Sequence, residues 1–325
     1  MTMPTRTLGK TGYGVSAIGL GCWQLGGDFG PVGDETARDI LRTARSLDVN
    51  FWDTADVYGG GQSESRIGAF TDKKGVLVAT KLGRGPEFEG MTRYTRERVK
   101  QSLAGSIGRL GVETLDLAQL HCIPIEVLRD GEIFTWLDDM RAAGMIRHWG
   151  ASVQTVEEGM LALRADTCTA LQTIFNLFRQ DAIDSLFPAA QKANAGIIVR
   201  LPLASGLLSG RMSASTTFTA QDHRSYNRDG QAFYVGETFS GLPFERGVAF
   251  ADEIKHWLPA GMSLAHLALR FILDQWAVST VIAGVTRPAQ LEDNVAAAAM
   301  EPLEAPLVAR LRDFYLEKVR PEVRG

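Results

Sequence analysis

Four side chains of complementary chemistry sit at or just beyond the ends of short apolar runs. Asp53 and Tyr58 lie within Asn50-Phe51-Trp52-Asp53-Thr54-Ala55-Asp56-Val57-Tyr58-Gly59, Lys81 follows Val76-Leu77-Val78-Ala79-Thr80, and His121 follows residues 115–120. A free tyrosine titrates near pH ~10 and donates its proton poorly at neutrality. An ammonium beside it favours the phenolate, so Lys81 is expected to lower the Tyr58 pKa toward the working range. A carboxylate at Asp53 would hold the lysine charged and fixed, and an imidazole at His121 could orient a bound carbonyl or share the proton. Such a phenol suits protonation of the alkoxide formed when hydride adds to a C=O. Singly, each residue has a plainer role: a helix cap, a surface phenol, a solvated lysine, a satisfied core histidine. Their joint placement at strand ends carries the argument.

The elements that would bring them together form an alternation. Residues 5–17 read as a hairpin with a turn at Gly9-Lys10-Thr11-Gly12. Strands are then expected at 18–21, 49–52, 76–79, 115–120, 145–149, 169–174, 197–199 and 278–282. Helical windows lie between them: one capped by Asp34 with Ala37, Ile40, Leu41 and Ala44 on one face, and one opening near Thr95 and stopping at Gly111. Others cover 134–143, 183–193, 244–258 and 264–273. Eight short β-branched runs, mostly one helix apart, are the mark of βαβ units, and eight units close most naturally into a (β/α)8 TIM barrel. The alternative is an open doubly wound sheet. Against it, the first βα turn reads Gly19-Leu20-Gly21-Cys22-Trp23-Gln24 and lacks the third glycine of the dinucleotide fingerprint. A long, irregular stretch at 211–243 interrupts the rhythm after the seventh strand, and such loops are usually functional. No linker composition appears, so residues 1–325 are expected to form a single domain.

Composition narrows the function. The net charge is -4 with no basic run, which argues against nucleic acid as a partner. No apolar run approaches the ~20 residues of a membrane span, and none follows Arg6 and Lys10 as a secretory leader would require. Three unpaired cysteines, Cys22, Cys122 and Cys168, point to a reduced, cytoplasmic protein with no disulfide framework or metal site.

The same motifs carry a resemblance. Arg6-Thr7-Leu8-Gly9-Lys10-Thr11-Gly12, Asp53-Thr54-Ala55-Asp56-Val57-Tyr58-Gly59, Ala79-Thr80-Lys81, Leu120-His121 and Gly150-Ala151-Ser152 resemble an aldo-keto reductase. So do the segments 202–210 and 284–294, and the likeness covers essentially the whole chain. It implies the barrel and NAD(P)H-dependent reduction of aldehydes or ketones, with Tyr58 as general acid, Asp53 and Lys81 tuning it, and His121 placing the carbonyl. It also implies that Ser152 and Gln172 bind the nicotinamide carboxamide, with Trp23 and Asp53 beside the cofactor. The backbone around Leu203, Ser205, Leu207 and Ser209 would meet the pyrophosphate. Gly284, Thr286, Arg287, Gln290 and Asn294 would hold the adenosine half, with Arg287 on a 2′-phosphate. NADPH is therefore expected over NADH. Trp23, Tyr58 and His121 are expected to wall the substrate pocket, with Trp52 as a further candidate, and the loop 211–243, with Tyr226, Phe233 and Tyr234, to cover cofactor or substrate. A monomer or weak oligomer is expected.

Two positions depart from the family pattern. Val153 replaces an asparagine common after the strand-five serine, and Arg200 stands where many relatives stack an aromatic on the nicotinamide. Arg200 is expected at the nicotinamide rim, stacking as a plane or binding an anionic substrate group. Two rival functions share the fold: a cofactor-binding regulatory subunit of a membrane channel, and a lyase using Lys81 as a Schiff base. A nearby Asp53 opposes the second, which needs a lysine of depressed pKa.

Overall fold

The computed structural model describes residues 3–325 apart from positions 28 and 31. The N-terminal ribbon is β1 (Thr5–Thr7) paired antiparallel with β2 (Gly14–Ser16). It is followed by β3 (Ile18–Gly21), β4 (Phe51–Asp53), β5 (Leu77–Leu82), β6 (Leu115–His121), β7 (Ile146–Ser152), β8 (Cys168–Ile174), β9 (Gly196–Arg200) and β10 (Val278–Gly284). These eight pair in parallel and in chain order, and residues 281–284 of β10 close the ring on residues 18–21 of β3. The barrel is closed, which excludes the open sheet.

Strand periodicity organises the interior in layers. Phe51, Ala79, Leu117, Ala170, Ile198 and Ile282 form one apolar cluster with Leu8 and Val15 of the ribbon. The ribbon thus stoppers the N-terminal mouth. It does so at close range: a Cβ on Gly9 would lie 2.2 Å from the Gly196 nitrogen. Two residues further along the same strands stand Asp53, Lys81, Gln119, Gln172, Arg200 and Gly284. Alternation therefore places a polar layer directly above an apolar one, toward the C-terminal ends of the strands. The opposite face of each strand joins the second, larger cluster under the helices, with Trp52, Trp149, Leu171 and Val199 among its members.

Helix ends follow the sequence in part: the windows expected at 134–143 and 183–193 are the helices Glu132–Ala142 and Leu186–Lys192. Thr95 caps Arg96–Leu110, which stops at left-handed Gly111, and Ser263 caps Leu264–Leu273. Asp34, expected as a cap, is instead the first residue of Asp34–Ser46, whose cap is Gly33. The Asp34 carboxylate is drawn sideways to Arg66 at 2.6 Å. The helix Phe244–Lys255 ends three residues before the expected boundary at 258. The stretch 211–243 holds the four-residue helix His223–Tyr226 and two short turns, Val235–Glu237 and Phe239–Gly241. Side chains order it: Asn227 accepts from the Ala232 and Phe233 amides at 2.8 Å and donates to Thr238 at 3.0 Å. Among the described residues no helix is long and apolar enough to cross a membrane.

Candidate active site

Asp53 ends β4, Lys81 is the penultimate residue of β5, and His121 ends β6, so adjacent strands deliver them to one rim. Tyr58 arrives from the loop after β4. That loop is pressed against the Trp23–Gly26 turn, where a Cβ on Gly59 would meet the Gly26 carbonyl at 2.4 Å. Only glycine fits there, and its φ of 59° is left-handed.

The Lys81 ammonium donates to Asp53 Oδ2 at 2.5 Å, to the Thr54 carbonyl at 2.8 Å and to the Tyr58 hydroxyl oxygen at 3.1 Å. Its three N–H groups are thereby all used. Asp53 Oδ1 accepts from Gln119 at 2.9 Å and from Gln172 at 2.7 Å. Lys81 and Asp53 are 1% and 2% exposed, and a buried ion pair is tolerated only when its remaining hydrogen-bonding capacity is met in this way. An ammonium can only donate, so the Tyr58 oxygen is the acceptor and its own proton is left for another partner. Tyr58 lines a cavity, where that partner would be a ligand.

The electrostatics correct one expectation. Burial raises the Tyr58 pKa, Lys81 lowers it, Asp53 raises it again, and the phenol ends above its ordinary value. Lys81 is not strong enough to reverse the loss of solvent because Asp53 cancels part of its charge. Burial would lower Lys81, but Asp53 and then Tyr58 outweigh it and the ammonium is held above its usual range. A Schiff-base lysine needs the reverse. His121 falls well below its usual value through burial, then Arg84, Lys81 and Arg200, so the imidazole is neutral at pH 7. Its ring lies edge-on to Tyr58 with centroids 5.7 Å apart, and its Nδ1 is buried without a partner.

These groups open into a cavity of about 550 Å³. Trp23, Asp53, Tyr58, His121, Gln172 and Arg200 line it near the strand ends, and Leu203, Ser205, Ser209, Gly284, Thr286, Gln290 and Asn294 line its extension. Ser152, Leu207 and Arg287 are not among the lining residues. Ser152 is turned to Gln172 Oε1 at 3.0 Å, Leu207 is packed in the core, and Arg287 is exposed at the residue before the helix Pro288–Ala296, with no side-chain bond to it. Trp52, also expected at the pocket, is fully buried on the outer face of β4 against Phe70, with its indole N–H on the Val49 carbonyl. Arg200 borders the cavity, held by the Val153 carbonyl at 3.2 Å and facing Glu237 at 3.5 Å. The backbone after β9 is left-handed at Leu201, Ala204, Ser205 and Gly206, a cluster of uncommon conformations along the cavity wall. With Arg211 and Arg224 beside that turn and a nine-residue helix starting at Pro288, the extension suits a phosphate-bearing, elongated ligand.

Comparison with known proteins decides the family. The aldo/keto reductase family model matches residues 17–315. The chain belongs to the aldo-keto reductase family. It is 29% identical over 302 residues to the aldo-keto reductase YhdN of Bacillus subtilis (strain 168), covering 89% of this chain and 87% of that one. It is equally 29% identical to a probable voltage-gated potassium channel subunit beta of Oryza sativa subsp. japonica, covering 94% of each. The glycerol dehydrogenase AKR11B4 of Gluconobacter oxydans superposes with a TM-score of 0.76 at 28% identity, covering 100% of this chain and 98% of that one. Membership makes the chain an oxidoreductase-family protein on a nicotinamide-using scaffold.

Several residues that shape this family site here were missed in the sequence. Gln119 is two residues before His121, so strand alternation alone turns it inward. Arg84, Phe29 and Glu237 come from loops, where no periodicity signals orientation. Glu237 nevertheless gathers side chains from three other segments, accepting from Arg84 at 3.0 Å and Gln154 at 3.2 Å besides facing Arg200.

Proposed function

We propose that this aldo-keto reductase reduces aldehydes or ketones to alcohols with NADPH, Tyr58 being the general acid. The observation that carries the reading is the Asp53–Lys81–Tyr58 chain, with its 2.5 Å and 3.1 Å links and the phenolic proton left to the cavity. The bound nicotinamide supplies the hydride. The chain's own residues do the rest. His121, neutral, donates to the carbonyl oxygen and places it against Tyr58. The phenol passes its proton to the oxygen as alkoxide character develops, and Lys81 stabilises the phenolate that remains. Gln119 and Gln172 keep Asp53 in place, so the ammonium stays charged without a solvent shell. Because Gln172 and Ser152 already bond each other and Gln172 holds Asp53, any contact they make with a nicotinamide carboxamide rests on their remaining donors and lone pairs. Arg200 takes the rim position next to the ring, its plane fixed by Val153 and Glu237. The extension past Ser209 to Asn294 takes the pyrophosphate and adenosine, and Arg287 the 2′-phosphate. We read residues 1–325 as one domain acting in a reduced, cytoplasmic setting, as a monomer or weak oligomer.

The test is loss of reduced-nicotinamide absorbance with NADPH and a reactive aromatic aldehyde. Tyr58→Phe should lower kcat by about 10² to 10⁴, the usual weight of general acid catalysis, while NADPH affinity stays within a factor of about two. Turnover near wild type in that variant would remove the assigned role. The likeness to a plant channel β subunit favours one second reading, a cofactor-binding regulatory protein. Tight NADPH binding without turnover of any aldehyde in a broad panel would select it.

A further inference from the structure

Arg84 takes no part in the proton chemistry, yet it is built into the reactive end of the cavity. It stands two residues after β5 and lines the same cavity as Tyr58 and His121. Its Nη1 donates to Glu237 Oε2 at 3.0 Å, and its guanidinium carbon lies 5.0 Å from the Phe233 ring centre. Those contacts fix one edge and one face of the fork. Its Nε and Nη2 donate to no described residue and keep solvent-accessible surface.

Arg200, the guanidinium to which the sequence points for an anion, differs. Its Nη2 donates to Cys122 Sγ at 3.4 Å and to the Val153 carbonyl, its Nη1 faces Glu237, and its Nε is buried without a partner. It is turned to the protein. Among the described residues, two guanidiniums against the single carboxylate of Glu237 leave one positive charge at this end, because Lys81 and Asp53 cancel and His121 is neutral. Beside that charge the wall is aromatic: Phe233 and Phe29 flank Trp23, with centroids 6.3 Å and 5.0 Å away, and Trp23 stacks on Tyr58 at 5.8 Å.

We propose that Arg84 sets the substrate class: its open Nε and Nη2 edge takes the carboxylate of an aldehyde acid or keto acid whose ring or alkyl body lies on Trp23 and Phe233. A planar fork with two parallel donors matches a carboxylate. A single uncompensated charge in a largely dry site is matched by a monoanion, whereas a phosphate dianion would overshoot it. The inference rests on the carbonyl-reductase reading of this site.

The experiment compares 2-, 3- and 4-carboxybenzaldehyde with their methyl esters, which keep the shape and remove the charge. The wild-type protein with NADPH should prefer the acid of at least one isomer, by about 10- to 100-fold in kcat/KM, the range for a hydrogen bond to a charged group. Arg84→Met should collapse that ratio and Arg84→Lys should retain part of it. A wild-type ratio of one or less for every isomer, or a ratio unchanged in Arg84→Met, overturns the proposal. Calorimetric titration with benzoate needs no turnover and no folded-to-full-activity variant. Benzoate binding at least tenfold tighter than benzamide supports an anion site, and equal binding refutes it. If no aldehyde or ester is reduced, the reductase reading fails, and the benzoate titration of wild type and Arg84→Met still decides the role of Arg84.

Discussion

Replacing Lys81 by methionine tests chemistry and stability at once, and the two effects separate. The ammonium lies 3.1 Å from the Tyr58 oxygen. At an effective dielectric of ~20, a unit charge at that separation stabilises a phenolate by about 5 kcal/mol, an upper bound near 10⁴ in rate. Lys81→Met should therefore lower kcat by on the order of a thousandfold. It also leaves Asp53 ionised, buried and without its cation, which costs about 3 to 5 kcal/mol and lowers Tm by several degrees. The double variant Lys81→Met/Asp53→Asn removes the stranded charge. It should recover much of the Tm and none of the rate. Single-turnover reduction of an aromatic aldehyde at saturating NADPH measures the first effect, and thermal unfolding followed by circular dichroism measures the second. A single variant within tenfold of wild-type kcat, or a double variant that regains rate along with stability, would show that Lys81 does not act through the phenol.

Three further outcomes follow from the same geometry. Asp56 is pushed up to about 7 by burial and then by Glu64, so ionising it weakens the fold: the loss begins as pH rises through its unfolded value and is complete above the folded one. Asp56→Asn should thus raise Tm at pH ~8 and leave it nearly unchanged below pH ~4, and a pH-independent gain would contradict the argument. With Tyr58 held above its ordinary value and His121 far below its own, kcat/KM for reduction should be flat from pH ~6.5 to ~9; a fall centred between pH ~7 and ~8 would mean that Lys81 outweighs burial after all. If Arg287 meets a 2′-phosphate, Arg287→Ala should raise the KM for NADPH by about tenfold or more and leave that for NADH unchanged, and equal effects on both would remove Arg287 from cofactor choice.

Strand identity was legible because parallel barrel strands are continuous apolar runs: each of the eight runs read from the sequence overlaps one barrel strand, with starts up to two residues early at 49, 76 and 145. Strand faces are legible by the same alternation. Phe51 and Asp53 share a face of β4, so Trp52 between them had to point outward, and the same rule turns Gln119 inward with Leu117 and His121. The cap at Gly33 was not visible, because Asp34 satisfies the local pattern equally well and the choice is made by the distant Arg66. Loop side chains were illegible for a different reason. Nothing in residues 211–243 fixes a period, and Glu237 is oriented by Arg84, Gln154 and Arg200, which lie on three other segments. The direction of the Tyr58 shift is not legible in the sequence, because a neighbouring charge can be read there while the depth of burial cannot.

Burial at this depth also explains why the free oxygen of Asp53 is met by two carboxamides and not by further charges. An ion pair of Lys81 and Asp53 alone would leave Asp53 Oδ1 without donors in a site closed to solvent, a penalty of about 1 to 3 kcal/mol for the unmet group and more for a charged one. Another lysine or arginine at position 119 would meet it but set a second cation against the one carboxylate that already balances Lys81. Glutamine donates without adding charge, and its own oxygen is met in turn, since Gln119 Oε1 accepts from Gln172 at 3.2 Å and Gln172 Oε1 accepts from Ser152 at 3.0 Å. The chain of donors runs from Ser152 on β7 through Gln172 on β8 to Gln119 on β6 and Asp53 on β4, so one hydrogen-bonded layer braces the ammonium from four strands. That bracing lets Lys81 keep its charge beside a phenol it cannot titrate alone: a fixed cation needs no reorganisation when the phenolate forms, and a mobile one would.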